Sequence, residues 1–259
     1  MGEGVAAFWC RTPSRPNFGD ALTPWLLEKL TGHHPRFTWP NDPREKLFVT
    51  GSIATLAASA CTVWGAGIMN ADDVISPEAR LLAVRGPLTR ARALASGASC
   101  LEVYGDPALL LPRLHRPPSA SRRGIGLAAH FSDRPRLLGK LPPSVHLIDM
   151  QAPVESVIEQ IACCELVAAS SLHGLITSHA YGIPAVWVQF RPLPSGDGAK
   201  FRDYLLAVDR ARDAPLELTP NELEANTLVR HAISPPTSFD LMPLIRACPV
   251  GVHALEHAT

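Results

Sequence analysis

Neither sign of charge dominates this chain: 24 lysines and arginines face 24 aspartates and glutamates. The balance excludes the basic excess of a nucleic-acid binder and the acidic tail of a solvating scaffold, so substrate charge has to be met by local groups. No CxxC pair occurs among the six cysteines, Cys10, Cys61, Cys100, Cys163, Cys164 and Cys248, and their spacing is not that of a disulfide framework. Reduced, buried thiols are expected, not a metal site. The GxGxxG fingerprint and the Walker lysine are also missing, which removes the simplest nucleotide-binding readings. Carboxylates are scattered and histidines unpaired, so neither a metal nor a bound cofactor is expected. The opening MGEGVAAFWCR has no basic n-region and too short an apolar run for a secretory leader, and a cytoplasmic location follows as the expectation.

Uninterrupted apolar runs are scarce as well. Residues 47–71 carry no charge and would reach across a bilayer if helical. Thr50, Gly51, Ser52, Thr55, Ser59, Thr62, Gly65 and Gly67 break the stretch, and LFVTG and TVWGAG each read as a strand ending in a glycine turn. Strand, short helix, strand in a buried core is the expectation.

What is present is alternation. Strand-length apolar runs (VAAFWC, KLFVTG, CTVWGAG, residues 81–84, LEVYGDPALLL) are interleaved with helices near ALTPWLLEKL and PLTRARALASG, the second with Pro87 in its first turn and Gly97 near its end. Residues 112–123, PRLHRPPSASRR, then shift to a linker-like composition. Beyond them the pattern restarts with strands IGLAAHF, VHLIDM, ELVAASS and IPAVWVQF and helices PVESVIEQIACC and LHGLITSHAYG. The expected fold is α/β, two Rossmann-like domains facing a cleft in the manner of GT-B glycosyltransferases. Its boundaries are residues 1–115, a linker at 116–123, residues 124–238, and a tail at 239–259 packing back on the body. No internal repeat interrupts the scheme.

Four loops carry chemistry. In ELVAASSLHGLI a buried strand ends in Ser170 and Ser171, and a helix starts at Leu172. Unpaired amides and the helix dipole favour an anion there. His173 falls in the first turn and Gly174 permits close packing; Ser171 as a plain N-cap and His173 as a scaffold residue are the competing readings. In LLAVRGPLTRARAL a strand delivers Arg85 to its tip, where a guanidinium fork suits a carboxylate or phosphate, against the alternative of a structural ion pair. In RPNFGDALT, Asn17 and Gly19 fit a tight loop, and Asp20 stands as either a helix N-cap or a cleft residue. The last group is a set of strand-end turns, Gly51 with Ser52, Gly65 with Gly67, and Gly105 with Asp106, where backbone can approach a ligand.

In their order from residue 17 to 186, NFGD, TGS, TVWGAGI, AVRGPLTRA, EVYGDPALLLP, SSLHGLI and AYGIPAV resemble the polysaccharide pyruvyltransferases. The resemblance extends in particular to the bacterial exopolysaccharide branch that includes the ketal transferase of xanthan assembly. AAHF and KFRDY are weaker matches. The resemblance implies phosphoenolpyruvate as co-substrate and a sugar diol on a polysaccharide or lipid-linked oligosaccharide as acceptor. The products would be a cyclic pyruvate ketal and phosphate, formed by an enzyme that touches the inner face of the cytoplasmic membrane peripherally. It further implies that Arg85 and His173 hold the donor, with Ser170, Ser171, Leu172 and Gly174 forming the turn around it. The first unit, with Arg85, is the expected acceptor side. A donor bearing a carboxylate and a phosphate needs what those residues offer, cationic groups and helix-start amides. His173 is also the candidate acid; Asp20, Asp106 and His130 are alternatives for the base on the acceptor hydroxyl. A nucleotide-sugar glycosyltransferase and a non-catalytic relative that binds an anion or glycan are the rival readings.

Overall fold

The computed structural model describes residues 4–11, 16–118, 121–192 and 196–251. Its strands are short: β1 (Ala6–Phe8), β2 (Arg36–Phe37), β3 (Lys46–Phe48), β4 (Cys61–Trp64), β5 (Arg80–Ala83), β6 (Ile125–Ala128), β7 (Val145–Leu147), β8 (Leu166–Ala169), β9 (Ala185–Gln189) and β10 (Leu216–Glu217). They form two five-stranded sheets, ordered β2-β1-β3-β4-β5 and β10-β9-β8-β6-β7, and every ladder is parallel. Read from its own first strand, each sheet has the same order, 2-1-3-4-5. The central strands β6 and β8 are buried at every position, which is why IGLA and LVAA read as continuous apolar runs without alternation.

Helices α1 (Phe18–Thr31), α2 (Pro87–Ala95), α3 (Leu111–Leu114), α4 (Arg134–Leu137), α5 (Val154–Ala162), α6 (Leu172–Ala180), α7 (Ala199–Ala207), α8 (Ala225–Arg230) and α9 (Met242–Arg246) surround the sheets. α5 buries Val154, Val157, Ile158 and Ile161, the spacing of one amphipathic face. α1 starts at Asn17, with Asp20 inside its first turn, so Asp20 is not the N-cap and Gly19 lies in the helix, not in a loop. Residues 47–71 form β3, a 3-10 turn at Ala54–Leu56, and β4. Among the described residues no helix is long and apolar enough to cross a membrane.

Three departures from the sequence pattern have physical causes. Residues 100–104, which include LEVY, make only isolated bridges along β5 and the residue after it, Leu81 with Cys100 and Val84 with Tyr104. Gly105 (φ +135°) then turns the chain into a 3-10 helix, Pro107–Leu110, capped by the Asp106 side chain on the Ala108 N–H. Strands β2 and β10 have two residues each, too few to show a period. And α7, though it follows the second sheet's β9, packs against α2 beside the first sheet.

That last contact rests on a buried ion pair. Asp203 of α7 and Arg85 after β5 are both fully buried. Arg85 Nε donates to Asp203 Oδ2 at 3.1 Å, Nη2 to the Ile68 carbonyl at 2.5 Å and Nη1 to Ser52 Oγ at 2.9 Å. Asp203 also accepts from the Thr89 N–H (2.9 Å) and the Thr89 hydroxyl (2.6 Å) at the start of α2. Gly86 is obligatory beside this pair, since any Cβ there would collide with the Asp203 backbone carbonyl. At the end of the described chain α9 returns to the first sheet: Leu244 and Ile245 are buried, and Trp64 Nε1 donates to the Leu244 carbonyl at 2.8 Å.

Removing one partner of such a pair leaves the other charge buried and alone. Asp203→Ala is expected to destabilise the fold by about 3–5 kcal/mol. The double change Arg85→Met with Asp203→Leu should recover most of that loss. Urea denaturation midpoints of the three proteins check this; a double variant no more stable than Asp203→Ala would show that the pair is not the source.

Candidate functional site

In parallel sheets of this order, ligands bind beyond the carboxyl ends of the strands, where the strand order reverses. The reversals fall between β1 and β3 in the first sheet and between β6 and β8 in the second. Asn17, Gly19 and Asp20 follow β1, and Gly51 and Ser52 follow β3. His130 follows β6, while Ser170, Ser171, Leu172, His173 and Gly174 follow β8. The two halves meet at these ends. The Phe18 N–H donates to the Met150 carbonyl at 2.8 Å, and α6 packs on α1, α5 and the Pro107–Leu110 turn.

His173 occupies the seam. It is 8% exposed, and its Nε2 faces Asp106 Oδ2 at 3.4 Å, although neither atom completes a hydrogen bond. Its Nδ1 lies over Gly19, where a Cβ would strike the ring. Asp106 itself is fully buried, so it cannot touch an acceptor hydroxyl; of the three groups considered as base, this one stands behind the histidine. Ser171 is the N-cap residue of α6, but its hydroxyl makes no cap bond. The first-turn N–H groups of Leu172, His173 and Gly174 therefore have no partner along the helix. Gly174 lets α6 sit directly on β6, where a Cβ would meet the Ala128 side chain.

The second group at the seam was not singled out from sequence. Lys200, in the first turn of α7, is 8% exposed and has no hydrogen bond or ion pair among the described residues. Burial and the neighbouring Arg85 charge lower its pKa from 10.5 to about 8, with Asp20 opposing them. Burial raises the Asp20 carboxyl above its ordinary value, against the pull of His173, Asn17 and Lys200. His130 is lowered by burial, then by Lys200 and Arg191, with Asp133 opposing. Its Nδ1 pairs with Ser132 Oγ at 2.7 Å and its N–H donates to Ser170 Oγ at 3.0 Å. Asp20, His130, His173 and Lys200 thus share one electrostatic neighbourhood. The signal for Lys200 lay in KFRDY: Phe201, Tyr204 and Leu205 form a buried helical face, and Lys200 and Asp203 flank it one turn apart.

Arg85 differs from its sequence reading. Its guanidinium is not a free fork at a strand tip but is enclosed by Asp203, Ile68 and Ser52. Gly67 is the floor beneath it, since a Cβ there would meet the guanidinium. Gly51 and Gly65 hold left-handed φ angles of +103° and +95° at their strand ends, and Gly65 packs on Pro107. His179, deeper in α6, is a scaffold residue whose ring lies between Tyr204 Oη and the Ile233 carbonyl; burial lowers its pKa to about 4. Among the described residues no three His, Cys, Asp or Glu side chains converge as a metal site.

Two parallel five-stranded sheets meeting at their reversal points, with a nearly buried lysine and a helix-start histidine between them, define an α/β protein of two like halves. Residues 17–189 match the family model described as polysaccharide pyruvyl transferase, and the chain belongs to that family. An uncharacterized protein of Acanthamoeba polyphaga mimivirus is 27% identical over 221 residues, 76% of this chain and 72% of the relative. Among solved structures, the glycosyltransferase SnogD from Streptomyces nogalater is similar at a TM-score of 0.31 and 16% identity, over 78% of this chain and 66% of that one. So loose a likeness adds nothing to what the topology already gives.

The depressed Lys200 fixes a pH signature. Between about 8 and 10.5 the folded chain holds a neutral amine while the unfolded chain holds an ammonium. The unfolded state then binds more protons, so stability from this group rises with pH across that window. Lys200→Met should abolish the rise and be more stable than wild type near pH 7. An anion bound to the ammonium should be released above about pH 8, and Lys200→Arg should retain it there because arginine stays charged. Calorimetric titration of inorganic phosphate at pH 7 and pH 9 checks the binding, and identical pH dependence in Lys200→Arg would exonerate the lysine.

Proposed function

We propose that the protein transfers the pyruvyl unit of phosphoenolpyruvate to two hydroxyls of a glycan, forming a cyclic ketal and releasing inorganic phosphate. The observation that carries this reading is Lys200, a nearly buried ammonium with no hydrogen bond or ion pair among the described residues, faced only by the Phe201 ring at 5.8 Å and the attraction of Asp20, beside a helix start that carries His173. A donor with a phosphate and a carboxylate supplies the charge this arrangement lacks. The phosphate sits against the α6 amides and Lys200, where the helix dipole and the ammonium act together. Arg85 acts through structure, since its charge is already matched by Asp203.

His173 protonates the methylene carbon of the enol phosphate, and Asp106, facing Nε2 at 3.4 Å, stands behind the ring and orients it. The carbon that bears the carboxylate becomes electrophilic, and one sugar hydroxyl adds to it as Asp20 takes its proton; the raised proton affinity of Asp20 suits that task. The C–O bond to phosphate then breaks, the phosphate takes the proton of the neighbouring hydroxyl as that oxygen attacks, and the proton held by Asp20 restores His173. The neighbouring hydroxyl closes the ring, which leaves a methyl group on the ketal carbon. Each donor molecule gains one proton at carbon and one at phosphate, and the two come from the two hydroxyls. A polysaccharide precursor or lipid-linked oligosaccharide fits as acceptor, met by peripheral contact at the inner membrane face.

The test is phosphate release from phosphoenolpyruvate in the presence of glycan diols. His173→Asn and His173→Gln should melt like wild type yet turn over about 10²–10⁴-fold more slowly. Lys200→Met should raise the KM for phosphoenolpyruvate. Normal turnover in a folded His173 variant would move the acid elsewhere, with His130 the next residue to replace.

A further inference from the structure

Two adjoining cavities open beyond the carboxyl ends of the second sheet, of about 400 and about 340 Å³. They share Phe190 and Arg191, the residues that follow β9. The smaller is basic: Arg136, Lys140 and Arg191 line it with a single carboxylate, Asp133. Arg191 Nε already satisfies Asp133 Oδ1 at 2.8 Å. Arg136 and Lys140 are exposed, and among the described residues their side chains have no ion pair or hydrogen-bond partner, so two positive charges remain uncompensated. The larger cavity has the opposite character, with Gln189, Glu217, Thr219 and Glu222 around its wall. Glu222 is held by Thr219 through the backbone N–H at 2.7 Å and the hydroxyl at 2.8 Å. Glu217 is exposed and Gln189 partly so, leaving carboxylate and amide groups to accept from hydroxyls beside an aromatic ring.

The cavities are wired to the seam. Asp133 Oδ2 accepts from Ser170 Oγ at 3.2 Å, and that oxygen accepts from the His130 N–H at 3.0 Å. Ser170 precedes the α6 start, so a ligand on Arg191 is one hydrogen-bond chain away from the proposed donor turn.

We propose that the two cavities form one subsite for a glycosyl phosphate: phosphate in the lobe of Arg136, Lys140 and Arg191, and the neutral sugar in the lobe of Gln189, Glu217 and Phe190. The cations suit a phosphate through charge-assisted bonds, and the carboxylates of the neighbouring lobe repel a second anion while accepting from sugar hydroxyls. As the acceptor's anchor in the pyruvyl transfer proposed above, on which its role rests, the subsite places the phosphate end of the acceptor on the second sheet. The sequence reading had assigned the acceptor to the first unit; here only the reacting diol reaches Asp20.

Binding is measured in the Lys200→Met protein, in which the donor turn has lost its ammonium, using hexose 1-phosphate, methyl hexoside, inorganic phosphate and a polyprenyl-phosphate hexose in mixed micelles. Hexose 1-phosphate or its micellar counterpart should bind about tenfold or more tightly than methyl hexoside or inorganic phosphate. Arg136→Ala with Lys140→Ala should weaken it by about tenfold or more. Glu217→Ala should weaken it while leaving inorganic phosphate unchanged. Preference for the soluble or the micellar ligand identifies the source of the phosphate, and either supports the subsite. Failure of both to bind, equal binding in the double variant, or a glycosyl phosphate no tighter than inorganic phosphate overturns it. Because these titrations involve no phosphoenolpyruvate, their outcome is independent of whether the donor reading stands.

Discussion

The carboxylate of Asp203 is the point to which the first half of the molecule is tied. It receives Arg85 from the end of β5 and both the backbone and hydroxyl of Thr89 from the start of α2, all out of contact with water. A helix encoded between β9 and β10 of the second sheet is thereby fastened to the first. One turn earlier on that helix stands Lys200, and its position over the seam follows from where Asp203 is held. The strand-end glycines conform to the same constraint: Gly67 and Gly86 have no room for a side chain because the guanidinium and the α7 backbone occupy it.

Around that anchor the protein separates its charges by purpose. Arg85 and Asp203 neutralise one another and build structure. Lys200 has no hydrogen bond or ion pair among the described residues, and the nearby Asp20 and the Phe201 ring offset the burial of its ammonium only in part. A chain with equal numbers of acidic and basic residues therefore still buries one cation outside any ion pair among the described residues. Stability and binding are opposed at this residue, as they commonly are where a site is built before its ligand arrives.

Much of this was legible in the sequence. The two parallel sheets follow from continuous apolar runs such as LVAA and from the alternation of strands with amphipathic helices such as VESVIEQIA. The SSLHG turn was readable because a strand, two hydroxyls and a helix start leave local marks. What escaped depends on contacts between distant segments. Arg85 looked like a free fork because its partner lies 118 residues away. Lys200 looked ordinary because the apolar face of KFRDY marks a buried helix side, but not that the lysine at its edge is buried with it. Asp20 stood as either a cap or a cleft residue, and Asn17 takes the cap position, an ambiguity of three residues that local propensity does not resolve. LEVY had strand composition, but its ladder stops at isolated bridges where Gly105 redirects the chain.

The core does not stop at the boundary between the sheets. One apolar cluster runs from Ala7, Phe18 and Leu22 through Leu110 to Ala128, Val157, Leu175 and Trp187, and the Phe18 amide is bonded to Met150 across the join. Lobes that share an interior cannot swing apart without exposing it, so wide hinge opening is penalised by the hydrophobic effect itself. The mouth between the lobes is accordingly of fixed gauge. Motion at the seam therefore falls to the loops at its rim, while the interior that the two halves share stays shut.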